Sequence, residues 1–316
     1  MTRYMTKLLS LVTLSLVSLN VFAQGRILTT LETNPDARTA AMGNALLGNT
    51  DKMHIYNNPS ALLFSTQKFG VDLSTEIYPQ GGQGRLMQYT LGTAYKFHPD
   101  HAVFFGMRYL GGLTIDVSTL PQSGKTHRPY DLTVDFGYGF SVTPEFSVYG
   151  SGTYVRSDIG AKTDALTFSF GLGYQRAIEL NGHSSLLTVG ARLLDAGTPV
   201  QYNKTGIFQS LPTSVVVGGD WGINLADDHD LTYALGVRYF TPKEAKEVIA
   251  GTGLEYTFAK MISVRGGYEY AQLAGSKLTG GLGIRCKGFT LDVAYHHSLK
   301  AVTGVNTFMV GLGFGI

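Results

Sequence analysis

The sequence predicts an all-β fold, a transmembrane antiparallel β-barrel of about 14 strands. Three observations predict it. Apolar and polar residues alternate with period two over long stretches, which places one set on each face of a sheet. Most of these stretches reach the roughly 9–11 residues that a tilted membrane strand needs, against about 5–6 in an ordinary strand. The connections between them alternate between short turns and longer loops, as in outer-membrane barrels. Composition agrees. Charged residues make up 15% of the 316, and 40 are glycine, where a soluble domain carries about 25% charged residues and roughly 7% glycine. With 44% hydrophobic residues and a formal charge of +2, the chain has neither the profile of disorder nor a basic surface for nucleic acid.

The first element, residues 1–23, reads as a secretory signal peptide. Arg3 and Lys7 precede an apolar stretch from Leu8 to Phe22, and Val21 and Ala23 form a small-x-small site before Gln24. This pattern marks a cleaved leader, and the stretch is short for a membrane helix. Its removal leaves 23 Lys and Arg against 23 Asp and Glu, a formally neutral chain. Cys286 is the only cysteine, so an exported chain has no internal disulfide to form.

Residues 24–64 do not alternate. Ala37 to Met42 suits a short helix, and Gly43 and the Asn58-Pro59 pair suit turns, the second leading into the first strand. Residues 65–316 form the barrel, with strands expected near 66–78, 84–97, 102–110, 130–141, 145–157, 163–176, 184–194, 213–223, 231–240, 248–258, 260–270, 277–286, 288–298 and 306–316. The clearest is 165–175, where Leu166, Phe168, Phe170, Leu172 and Tyr174 oppose Thr167, Ser169, Gly171 and Gly173. Long connections at 111–129 and 195–212 fall at one end, the outer one if the first strand runs outward from the periplasm. Asp135, Arg192, Glu255, Arg265, Glu269 and Asp292 lie opposite the apolar stripes. Charge facing lipid at midplane costs about 2–4 kcal/mol, so all six should face the lumen. Tyr89, Tyr95, Phe97, Tyr138, Tyr149, Tyr174, Tyr268 and Tyr270 read as an interfacial aromatic girdle.

The non-alternating segment carries a family resemblance. Ala37, Arg38, Met42 and Gly43, followed by Asn58, Pro59 and Ala61, resemble the N-terminal segment of the FadL-like outer-membrane proteins, and most closely their PorV/PorQ branch. Ser60 intervenes where the family has Ala directly after Pro, and Leu211-Pro212 resembles the family's approach to its eighth strand. The resemblance implies a fourteen-stranded barrel whose N-terminal segment folds inside as a plug. Physics agrees, since even eight strands leave just enough room for side chains and a wider barrel needs other filling. Arg38 then has a natural partner in an inward carboxylate, a structural ion pair holding the plug.

Chemistry of other kinds is sparse. The sequence shows no metal-ligand spacing, no phosphate loop and no nucleophile motif, so it predicts neither an enzyme nor a cofactor. His296 and His297 are adjacent on a strand and point to opposite faces. Asp227, Asp228 and Asp230 around His229 read as a solvated turn. The resemblance leaves two roles open. One is a PorV-type accessory of type IX secretion that engages secretion-machinery proteins or cargo C-terminal domains through its outer loops. The other is a FadL-like channel for hydrophobic small molecules. In both, the remaining partner is outer-membrane lipid.

Overall fold

The computed structural model describes residues 26–116, 126–180, 182–204, 208–300 and 305–316. Among these, fourteen long antiparallel strands close into a barrel in simple chain order. They are β1 (Phe69–Gly81), β2 (Gly84–His98), β3 (His101–Leu113), β4 (Tyr130–Thr143), β5 (Phe146–Asp158), β6 (Lys162–Leu180), β7 (His183–Gly197), β8 (Ser214–Ala226), β9 (His229–Phe240), β10 (Glu247–Phe258), β11 (Ile262–Ala271), β12 (Lys277–Cys286), β13 (Phe289–Ser298) and β14 (Thr307–Gly315). β1 pairs with β14 from Gly70–Gly315 to Ile77–Phe308, so the sheet has no free edge and every neighbouring pair is laddered. That closure is what lets a sheet sit in lipid, where an unpaired backbone group finds no water.

The two faces follow the alternation. In β6, Leu166 and Phe170 are 54% and 59% exposed, while Thr167 and Ser169 between them are 0% and 3% exposed. The exposed set is apolar and the covered set polar, the inverse of a soluble sandwich. The exposed apolar face is therefore the one that meets lipid, and the covered polar face lines the lumen. At one end the strands join through short turns, among them 144–145, 227–228, 259–261 and 287–288; the longer connections lie at the other end with residues 114–129, 198–213 and 241–246. The first end is periplasmic and the second external, by the usual division of loop lengths. The external end also has tight turns, at 82–83 and 159–161, so the alternation in length is less regular than the sequence suggests.

Several boundaries differ from expectation. β1 starts at Phe69 rather than near 66, because Pro59–Phe64 is a helix and residues 65–68 are needed to reach the wall. Asn58-Pro59 is thus not a turn into the strand but a helix start. The Asn58 side chain accepts from Ser60 N at 3.1 Å as N-cap, and Pro59 takes the first helical position, where its missing N–H costs nothing. We label this helix α2, and the earlier one, Ala37–Ala41, α1. α1 is capped by Asp36, which accepts from Arg38 N at 3.2 Å. The connection expected at 195–212 starts later, since β7 runs to Gly197. It folds back over the mouth, with Val200 and Leu211 buried among Leu28, Leu31, Val155 and Ala165. Residues 117–125 and 205–207 of the two long connections, and the whole signal segment 1–23, lie outside the described residues.

Residues 26–64 fill the lumen. Arg26 bridges Ser210 at the external mouth, and the chain descends through α1 and α2 to the periplasmic rim, where Lys68 and Phe69 both donate to Ile316 O.

Candidate functional site: the plug and the charged lumen

The plug touches the wall where neither has bulk. Gly43 turns the chain with φ 69°, and a Cβ there would lie 2.5 Å from both Thr252 O and Tyr268 O. On the wall, a Cβ at Gly253 would lie 2.5 Å from Met42 Cα. Backbone packs on backbone, which only glycine allows at a left-handed turn and so close an approach. This is the physical content of the Met42-Gly43 pair. Thr279 Oγ1 secures the same point, accepting from Gly43 N and donating to Ala41 O, both at 2.9 Å. Ala37 packs α1 against Ala294 and Met309. Ala61 is fully buried in α2. Asn58 Nδ2 donates to Leu47 O and Gly48 O, tying the plug to itself.

Arg38 begins a chain of alternating charge. Its guanidinium donates to Glu255 on β10, with Nη2 to Oε1 at 2.6 Å and Nε to Oε2 at 3.0 Å. Glu255 Oε2 accepts from Arg265 Nε at 2.5 Å, directly across the β10–β11 register. Arg265 Nη1 then donates to Asp292 Oδ1 on β13 at 2.5 Å. Asp292 pairs with Lys52, which returns the chain to the plug. Five groups thus connect plug to wall to plug, and each is buried or nearly so. The Arg265–Asp292 bond spans β12, and Gly283 makes room for it: a Cβ there would lie 2.5 Å from Asp292 Oδ1. The pairing fixes geometry, and a lone member would carry a desolvation cost that is reduced where the adjoining cavity admits water.

Of the other sequence-predicted lumen charges, Asp135 accepts from Arg108 at 3.1 Å, Thr153 at 2.6 Å and Tyr56 of the plug at 2.9 Å. Arg192 donates to Ile55 O at 2.9 Å. Glu269 accepts from Asn44 at 2.5 Å and pairs with Lys277 at 3.1 Å. All six are buried. Sequence reasoning missed Arg26, which pairs with Glu247 at 2.7 Å, and also missed Lys52, Arg108, Asp72 and Asp220. Asp72 and Asp220 accept the plug amides of Met53 and Asn49, both at 2.8 Å. Arg108 sits between the exposed Met107 and Tyr109, and Asp220 precedes the exposed Trp221, so the alternation that found the first six would have found them. Arg26 and Lys52, on irregular chain, carried no such signal.

One girdle assignment is corrected. Tyr149 is 6% exposed and faces the lumen, with Arg192 5.5 Å from its ring centre. Its strand neighbours across the ladders are Gly139 and Gly171, whose missing side chains leave space for the ring. Tyr89, Tyr95, Phe97, Tyr138, Tyr268 and Tyr270 are exposed on the outside, and Tyr174 is half-buried. His296 is buried, with Nε2 3.1 Å from Ala40 O, and no cluster of metal-ligating side chains occurs among the described residues.

Two cavities flank the plug. The external one, of about 550 Å³, is lined by Arg26, Glu32, Glu76, Arg238, Glu247, Glu269 and Lys277 among others. The periplasmic one, of about 490 Å³, is lined by Arg38, Asp51, Lys52, Glu255, Arg265 and Arg285 among others. Both are walled by charge of both signs. Within the plug itself, which does not touch lipid, burial pushes the His54 imidazole down to about 4, and nearby Asp51 offsets only part of this.

A family model described as type IX secretion system protein PorV matches residues 23–243, more than two-thirds of the chain. The chain belongs to the PorV family. The match covers the plug and the first nine strands, so the Met42-Gly43 and Asn58-Pro59 contacts lie inside it. Among solved structures, the chain is similar to the Pseudomonas putida toluene transporter TodX, at 13% identity and TM-score 0.54, covering 88% of this chain and 95% of that one. It is similar to the CymD monoaromatic hydrocarbon channel at 13% identity and TM-score 0.55, with the same coverage. A FadL homologue of Pseudomonas aeruginosa aligns at 11% identity and TM-score 0.49, over 89% of this chain and 98% of that one. At these identities the likeness is one of fold. No curated protein matches by sequence.

Proposed function

We propose that this protein is a secretion accessory of PorV type. It is exported by a leader cleaved before Gln24, held in the outer membrane, and engages cargo C-terminal domains or partner proteins of a type IX secretion system at its external end. Family membership supports this reading. The observation that carries it is the lumen. Residues 24–64 act as a plug, with Arg38, Glu255, Arg265, Asp292 and Lys52 as its clamp. The cavities on either side are lined by charge. A hydrophobic solute gains from apolar lining and loses against unsolvated ions, so such a path favours it poorly. A protein that works from its outer surface needs a closed, rigid barrel instead. No catalytic step is assigned to it.

The second reading, a channel for hydrophobic small molecules, is favoured by the fold shared with TodX and CymD. Such a channel would require an apolar route past the plug or a sideways exit through the wall. The continuous ladders between all fourteen strands weigh against the exit.

Mildly solubilised outer membranes carrying a tagged protein test the choice. Cargo or translocon proteins should copurify, and removing the short external ladder of Ile115–Asp116 with Thr126–His127 should weaken that capture without changing heat modifiability. Recovery of bound hydrocarbon with no protein partner, together with hydrocarbon uptake by liposomes containing the barrel, would overturn the secretion reading in favour of the channel.

A further inference from the structure

The lipid face is not uniform around the barrel. Where β12, β13, β14 and β1 meet near the periplasmic rim, an apolar groove of about 380 Å³ opens outward. Two cross-strand rows build it. Cys286, Phe289, Phe314 and Val71 lie in register nearest the rim, and Ile284, Leu291, Leu312 and Leu73 lie in register behind them. Phe314 is half-exposed and tilts against Phe289, ring centres 4.7 Å apart.

The rim beside this groove is basic. Lys287 follows Cys286 in the β12–β13 turn. Lys68 precedes β1 and donates its N–H to Ile316 O at 2.6 Å. Lys260 lies in the β10–β11 turn next to Met261, whose carbonyl accepts from Arg285 N at 2.7 Å. All three lysines are exposed, and none forms an ion pair among the described residues. The acid nearest them in the plug, Asp51, is taken by Arg285. Lys68 and Lys287 thus give the rim beside the groove a positive balance. Lys96, next along, turns inward to Leu62 O and Ser65 O. Lys260 has acidic neighbours instead, since Ala259 N donates to Asp228 O of the adjacent β8–β9 turn at 2.8 Å, and the arc opposite the groove carries Glu145 and Glu179 against Arg176.

We propose that this face holds one anionic phospholipid of the periplasmic leaflet, its acyl chain along the groove and its phosphate between Lys287 and Lys68, the two lysines that flank the groove. The groove lies in the lipid-facing band and the lysines lie at headgroup depth, so apolar and charged parts are stacked in the order a lipid presents them. A zwitterionic headgroup would bring its own ammonium against the lysines. A net-anionic one, as in phosphatidylglycerol or cardiolipin, does not. Lysines close to an anionic surface contribute measurably to such binding, whereas the acidic arc repels the same headgroup. The site is independent of what the external loops engage.

The test is native mass spectrometry of the full-length barrel, released from detergent with equal amounts of phosphatidylglycerol and phosphatidylethanolamine. The parent should retain phosphatidylglycerol preferentially. Removing lysines should cut that preference by about fivefold for each, the equivalent of about 1 kcal/mol, in the series K287Q, K287Q/K68Q, whereas K260Q, off the groove, should leave it nearly unchanged. Each variant is first checked for heat modifiability, and E145Q/E179Q should keep the preference. Cys286, the sole cysteine, lines the groove and can carry a photo-crosslinker in native outer membranes. Lipid adducts are expected. Equal retention of both lipids by the parent, an undiminished preference in K287Q/K68Q, or a crosslinked protein in place of lipid would overturn the proposal.

Discussion

At the scale of single residues, Arg38 holds the most. Arg38→Ala leaves Glu255 with Arg265 alone and removes the donor to Asn49 O, which sits 2.6 Å from Nη1. Breaking a dry buried pair costs about 3–5 kcal/mol and much less where lumen water reaches it; the surviving Arg265 bond and the adjoining cavity put this change at or below the lower end. Urea unfolding in lipid vesicles measures it. Gly283→Ala should disturb the same chain with no change of charge, because its Cβ would press on Asp292 Oδ1. The plug should then become cleavable by protease while the barrel stays heat-modifiable. His54 gives a pH dependence. The unfolded imidazole takes a proton near 6.5, the buried one near 4. The docked plug is therefore fully stabilised above about pH 6.5 and loses up to about 3 kcal/mol as pH falls from there to about 4. Protease protection of the plug should fall over that window, and His54→Gln should flatten the change. Arg38 was legible from the sequence because a lone cation among Ala and Thr in a segment bound for a lumen needs an acid. That the acid is Glu255, and that Lys52 closes the chain at Asp292, depends on strands far along the sequence meeting across the lumen.

At the scale of elements, period two made the strands readable because lipid on one face and plug on the other leave no position neutral. β6 is the sharpest case and offers a paired test. Phe168→Arg should destabilise the barrel by about 2–4 kcal/mol near midplane, and Ser169→Arg should cost less unless it strikes the plug. Equal costs, measured by unfolding in lipid, would contradict the facing. β5 shows where the pattern fails. Tyr149 and Val155 face inward and Gly150 and Gly152 outward, so its apolar residues fall on both faces. The ring of Tyr149 is placed by glycines on neighbouring strands, which a reading along one strand does not see. α2 was missed for a local reason. Asn-Pro signals a turn and equally an N-cap followed by the first helical residue, and only the burial of Leu62 and Leu63 against Phe104 selects the helix.

At the scale of the whole molecule, a fourteen-stranded wall is too wide to fill itself, and residues 26–64 close it through a glycine-lined contact on one side and ion pairs on the others. Both ends of that closure carry charge, which suits a barrel that works at its surface more than one that passes hydrocarbon. The barrel's class and approximate strand number were legible from composition and alternation. The path of the plug, from the external mouth at Arg26 down to the periplasmic rim, was not, because nothing in a non-alternating segment fixes its direction. The most direct measurement is single-channel conductance in planar bilayers, comparing the full mature chain with a form lacking residues 26–64 that still shows heat modifiability. The parent should be nearly closed, and the shortened form should be a large, steady, open pore. An assembled, heat-modifiable shortened barrel that conducts no more than the parent would contradict closure by the plug.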